Sequence, residues 1–224
     1  MAGDSIEDIL IYDGKTLPLL ADPVIAEIFK NADLAGQAMF ELINATLEDS
    51  GDELISEIID LVPQRVAPSA QDRGYRIDVL SRTVRNEFII FEVQLSHLLI
   101  TNERALVYSD QALSNNTKQG QTWREIAKVM PRVLVVNILN FDLRKQGVNF
   151  HQIGEFTYRE EPRELASNMI TLHNIQLPRY RNIVPNLSKP LHCWLTAICR
   201  AQDNNLSLKE VVGMDAQLSG YAQK

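Results

Sequence analysis

The spacing of hydrophobic and polar positions along the 224-residue chain changes near residue 54. Before that point it is helical. Asp22 followed by Pro23 supplies an N-cap acceptor and a proline at the first helical position, so a helix or helix pair is predicted to run to about Glu48. Leu34, Ala38, Met39, Leu42, Ile43 and Leu47 fall three and four apart and form one apolar stripe for a core. Beyond residue 54 the pattern is extended, with strands predicted over 55–62, 74–82, 87–95 and 132–140. The last, RVLVVNILN, is so continuously apolar that it reads as a buried central strand. Glu103 to Asn116 reads as a helix, and a helical crossover predicts that the strands on either side of it lie parallel in one sheet. Extended stretches follow at 149–159 and 170–177. Ser188-Lys189-Pro190 then opens a helix with Leu191, Trp194, Leu195 and Ile198 on one side, and a final helix is predicted from about Ser207. Residues 1–20, with the run ILIY and the turn-like Asp13-Gly14-Lys15, show no period and read as an arm. The pattern predicts an α/β fold, a mixed central sheet flanked by helices. It divides into the arm, a core over 21–180, and a C-terminal helical segment over 181–224 packed on that core.

Strands YRIDVLSR and EFIIFEVQL are joined by the short polar connection TVRN, which predicts a hairpin. A turn centred on Arg85 sets Asp78 opposite Glu92, with Cβ atoms about 5 Å apart, and like charges so placed are destabilising. Alternation sends Ile77 and Val79 one way with Phe91 and Val93, while Asp78, Glu92 and Gln94 point to the other face. Two acids and an amide oxygen therefore converge. A hard divalent cation, Mg²⁺ for preference, resolves that arrangement and can activate water at a phosphodiester. The alternative is an ion pair of one carboxylate with Arg76, Arg82 or Arg104 on a wet face.

Charge changes the choice of partner. The formal net charge of −7 argues against phosphates only if it is evenly spread, and residues 1–60 hold 2 basic side chains against 14 acidic. The remainder holds 20 basic against 15 acidic. A mildly basic body behind an acidic segment predicts weak, metal-dependent and salt-sensitive nucleic-acid binding. Cys193 and Cys199, six apart in a predicted helix and so roughly 9 Å apart along it, are too distant for a disulfide, which fits a reducing compartment. The acidic N-terminus lacks the basic flank of a secretory signal, and the apolar runs are too short to span a bilayer. A cytoplasmic protein without a membrane partner is expected.

Five segments in order, ADPVIAEIF with LINATL, RIDVL, FEVQL, ERALVYSDQALSNNTKQGQTW and VLVVNILNFDL, resemble the PD-(D/E)XK nuclease superfamily. Within it the chain is similar to the branch of transposase-like or recombination-promoting nucleases over roughly residues 20–200. The resemblance implies a restriction-endonuclease-like core and Mg²⁺-dependent cleavage of DNA, with Mn²⁺ able to substitute. It implies Asp78 and Glu92 as metal ligands, and Gln94 at the place usually held by lysine. Glutamine is common there in this branch, but it can only donate and accept hydrogen bonds, so more of the electrostatic work falls on the metal. A catalytically inactive module that binds DNA or protein is the alternative. One site per chain cutting both strands favours a homodimer or successive nicks. Relatives often run on past MDAQLSGYAQK, so the chain reads as a shortened member or a fragment.

The family's first helix usually opens Asp-x-x-Phe-Lys. Here Asp22 matches and the lysine does not, with Lys30 a substitute one turn later. Asp22 and Glu27 are each either a further acid of the site or, respectively, a plain N-cap and a solvated helix residue. Arg104 and Tyr108 occupy the family's place for an arginine and a tyrosine near the site, where they either approach a phosphate or pack. Lys118, Arg124, Lys128 and Arg132 form a basic run that either tracks a nucleic-acid backbone or is a solvated face. His97, His151, His173 and His192 lack zinc-like spacing and read as isolated structural residues, and Trp123 and Trp194 as packing. Neither a phosphate-cradling glycine loop nor a G-x-S-x-G elbow occurs, which argues against NTP hydrolysis and serine hydrolysis.

Overall fold

In the computed structural model, which describes residues 11–12, 15–16, 35–62, 65–66, 75–76, 79–94, 101–114, 120–143 and 149–204, the arm carries a short antiparallel ribbon, β1 (Ile11–Tyr12) with β2 (Lys15–Thr16). The elements then run α1 (Ala35–Ser50), β3 (Ile58–Val62), β4 (Arg65–Val66), β5 (Tyr75–Arg76), β6 (Val79–Thr83), β7 (Phe88–Gln94) and α2 (Thr101–Ser114). They continue as α3 (Trp123–Val129), β8 (Val133–Leu139), β9 (His151–Thr157), β10 (Leu165–Gln176), α4 (Leu177–Tyr180) and α5 (Pro190–Asn204). Two compact units result, one of residues 1–54 with 177–224 and one of residues 55–176. The expected helix start at Asp22 and the final helix near Ser207 lie outside the described residues.

In the first unit α1 and α5 pack on each other. Met39, Ile43 and Leu47 are fully buried along one line of α1, and Leu191 and Leu195 on α5, as the i, i+4 stripes require. Lys189 pairs with Asp49 at 3.0 Å. The Tyr180 hydroxyl donates to the His192 carbonyl at 2.7 Å, and the Asn186 N–H donates to His192 Nδ1 at 3.1 Å. Burial, offset in part by Asp49, holds the His192 imidazole below its usual range. Since the unfolded chain then binds the extra proton first, stability is lost as pH falls through about 6.5 towards the lower folded value. Melting curves between pH 5 and 8 are expected to show that decline in the wild type and a shallower one in His192→Gln.

The second unit is built on a six-stranded mixed sheet of order β3-β6-β7-β8-β10-β9. β3, β6 and β7 form an antiparallel meander, β7, β8 and β10 are parallel, and β9 returns antiparallel to β10. The predicted hairpin is β6–β7, and its pairs, from Val79 with Phe91 to Arg82 with Phe88, have the register of a turn centred on Arg85. Asn86 takes the left-handed conformation, φ 61°, that asparagine tolerates in such turns. The predicted crossover is α2, which packs on β7, β8 and β10, and all seven residues of β8 are buried. Leu80, Ile90, Ala105, Tyr108, Ala112, Val133 and Val135 make the core between helix and sheet, with Phe88, Leu113, Ile170 and Leu172 packed against it. Helix α3 has no counterpart in the apolar pattern. It starts on a capping box in which the Glu125 N–H donates to Thr122 Oγ1 at 3.4 Å and the Thr122 N–H donates to Glu125 Oε2 at 2.7 Å.

Candidate functional site

Alternation along β7 places Phe88, Ile90, Glu92 and Gln94 on the sheet face that α2 covers. The first two close the apolar core, and the last two begin a polar region beside the first turn of the helix. Glu92 is 3% exposed and Gln94 6%, so the carboxylate sits in the interior and not on a wet face. Such a group needs partners. Gln94 Nε2 donates to Glu92 Oε2 at 3.1 Å, and the Arg104 guanidinium stands 3.7 Å from the same oxygen. Thr101, at the first position of α2, donates through Oγ1 to Gln94 Oε1 at 3.1 Å, which fixes the orientation of the amide. Arg104 also donates to the Tyr108 hydroxyl at 2.9 Å with its guanidinium 5.5 Å from the ring centre. Side chains on a helix lean towards its N-terminus, which brings Arg104 over the sheet at Glu92 while Tyr108 packs in the core behind it.

Of the sequence-predicted site residues, the structure therefore joins Glu92 and Gln94 to each other and to Arg104 and Tyr108. The ion pair weighed for one of the acids is present between Glu92 and Arg104. Arg82 instead bonds the Asn86 side chain. Asp78, Asp22, Glu27, Lys30, Lys118 and His97 lie outside the described residues. Arg124 and Lys128 are exposed on α3, whereas Arg132 is partly buried and donates to Thr171 Oγ1 at 3.3 Å, so the basic run does not share one solvated surface. The four histidines are not all isolated, because the antiparallel register of β9 and β10 sets His151 Nε2 3.2 Å from His173 Nδ1. Among the described residues no three His, Cys, Asp or Glu side chains cluster to hold a metal, and no helix is long and apolar enough to cross a membrane.

Four residues of the site are missing from the pattern reading: Thr101, Asn102, Asn137 and Asn174. Asn137 is the register partner of Glu92 on one side and of Asn174 on the other, so the three form a row across β7, β8 and β10. Asn137 Nδ2 donates to Asn174 Oδ1 at 2.8 Å, and Asn174 Nδ2 donates to Asn102 Oδ1 on α2 at 3.2 Å. The available signal was one amide inside VLVVNIL and another inside LHNIQ, polar residues at positions where an apolar side chain would have completed the strand.

A family model described as PD-(D/E)XK nuclease family transposase matches residues 26–214. No curated protein and no solved structure matches the chain.

Proposed function

The chain belongs to the PD-(D/E)XK nuclease family transposases, and from that premise we propose that it is a metal-dependent endonuclease that hydrolyses phosphodiester bonds in DNA. The observation that carries the reading is the buried Glu92 carboxylate, held by Gln94 and Arg104 beside the end of the β6–β7 pairing. Asp78 precedes Val79, whose partner Phe91 precedes Glu92, so the two acids are neighbours if the hairpin register continues by one residue. A carboxylate pair is a donor set of hard oxygens and fits Mg²⁺, with Mn²⁺ as a substitute, while Gln94 turns Nε2, and not the amide oxygen expected from the alternation, towards Glu92. Asp78 and Glu92 would hold the ion, which when bound supplies a Lewis acid for the phosphoryl oxygen and acidifies its water.

The chain's own groups divide the remaining work. Gln94, locked by Thr101, directs Nε2 at Glu92 and presents a neutral hydrogen-bonding group where many nucleases have lysine. Arg104 then supplies the fixed positive charge beside that oxygen. Its side chain is 24% exposed, so a phosphate can reach it from solvent, and the Tyr108 hydroxyl keeps the guanidinium in place. We place this activity in the cytoplasm, with a dimer or successive nicks for double-strand cleavage.

A second reading, a nuclease fold kept for binding alone, is favoured by one observation: Arg104 already balances the charge of Glu92. Supercoiled plasmid incubated with Mg²⁺ or Mn²⁺ separates the two. The endonuclease is expected to nick it, and Asp78→Ala to stop nicking. Cleavage that persists unchanged in Asp78→Ala removes this site from the reaction. Absence both of cleavage and of any metal-dependent rise in melting temperature overturns the endonuclease reading and leaves the binding module.

A further inference from the structure

The row across the sheet carries a polar atom that neither the fold nor the proposed roles of Glu92 and Gln94 employ. Asn137 is fully buried, and its Oδ1 has no hydrogen-bond partner among the described residues. An unmet acceptor in the interior is destabilising. A leucine or valine, like its neighbours in VLVVNIL, would avoid that cost. Its Nδ2 is committed to Asn174, so the amide orientation is fixed by the chain Asn137–Asn174–Asn102. The two arms of a planar amide diverge, so with the nitrogen turned to β10 the oxygen is turned away from it. The residue on the other side of Asn137 is Glu92, on a strand about 4.8 Å away and on the same face of the sheet. An amide oxygen and a carboxylate side by side are two acceptors. The donors Gln94 Nε2 and Arg104 stand at Glu92 Oε2, the Asn137 oxygen is left without one among the described residues, and a cation held at the carboxylate would meet it.

We infer that Asn137 Oδ1 is a further oxygen of the cation site, contributed by the central strand β8 to a divalent ion held at Glu92. The inference rests on the endonuclease reading and deepens it. It makes the Asn174 and Asn102 amides positioning residues, since they keep the Asn137 oxygen turned towards β7.

The test is a Mn²⁺ titration followed by thermal melting on the full chain without DNA, so that the readout is ion binding and not cleavage. Wild type is expected to gain melting temperature with Mn²⁺. Asn137→Leu, similar in size and unable to coordinate, is expected to need about 10- to 100-fold more Mn²⁺ for the same gain. Asn137→Asp is expected to melt lower than wild type without metal, because it sets a second carboxylate beside Glu92, and to respond at lower Mn²⁺ concentration. It carries the test alone if the leucine variant does not fold. A wild type that responds to Mn²⁺ together with variants of unchanged response overturns the assignment of Asn137, whose oxygen then meets only a buried water, and leaves the endonuclease reading standing. A wild type indifferent to Mn²⁺ overturns both.

Discussion

Glu92→Gln is expected to lower metal-dependent plasmid nicking by at least about 100-fold and to abolish the rise in melting temperature that Mn²⁺ produces. Loss of a group that merely orients a metal ligand costs about 10- to 100-fold in affinity or activity, and a ligand itself is worth no less. The substitution keeps size and shape in a position that is 3% exposed, so the packing of β7 is preserved. What disappears is the charge. Removing one partner of a buried ion pair is usually destabilising because it strands the other. Here Arg104 keeps the Tyr108 hydroxyl and partial access to water, so the metal-free fold is expected to survive with its melting temperature within a few degrees of wild type. Nicking assays and Mn²⁺ melts on the same preparation separate lost chemistry from lost folding. An unchanged Mn²⁺ response would mean that the ion binds elsewhere.

The largest effect on stability is expected from Ile90→Ala. Ile90 is fully buried in the core that Leu80, Ala105, Tyr108, Val133 and Val135 complete. Truncating such a side chain removes its transfer free energy and leaves a cavity, about 2–5 kcal/mol together. For a chain of this length that lowers the melting temperature by about 4–20 °C. The cavity would open beneath Tyr108, whose hydroxyl holds Arg104, so the variant is also expected to weaken the hold of Arg104 on Glu92. Calorimetry of Ile90→Ala beside Ile90→Val, which keeps most of the volume, measures how far the core can collapse. Equal melting of the two variants would show that the helix–sheet contact contributes little.

The β6–β7 hairpin was legible to the residue, since the polar connection TVRN fixes the turn and the alternation on either side fixes which residues face together. The parallel pairing of β7 with β8 was equally legible, because a helix between two strands leaves little else. The position of β10 was not. It lies between β8 and β9, parallel to one and antiparallel to the other, and no local pattern specifies a neighbour that is distant in sequence. For that reason Asn137 and Asn174 did not stand out in the sequence, and His151 and His173 read as isolated, until the sheet order joined each pair. Helix α3 was missed for the opposite reason. Its apolar period is too short to register, although Thr122 with Glu125 is the signature of a helix start and stood in the sequence to be read. Thr101 shows the same limit at the site, for it lies seven residues beyond Gln94, and only the path of the chain into α2 brings its hydroxyl back to that amide.

The insertion of β10 beside β8 also sets when the site can close. A chain growing from its N-terminus has made Glu92, Gln94, Arg104 and Asn137 well before it makes Asn174, and both ladders that flank β8 join segments remote in sequence. Contacts of that kind form slowly, since the intervening loops must be closed before any bond repays them. The hydrogen bonds that orient Asn137 cannot exist in any nascent chain shorter than 174 residues. The polar floor around Glu92 is thus a product of nearly complete synthesis of its unit, and partial chains carry the acid without the arrangement that would make it effective.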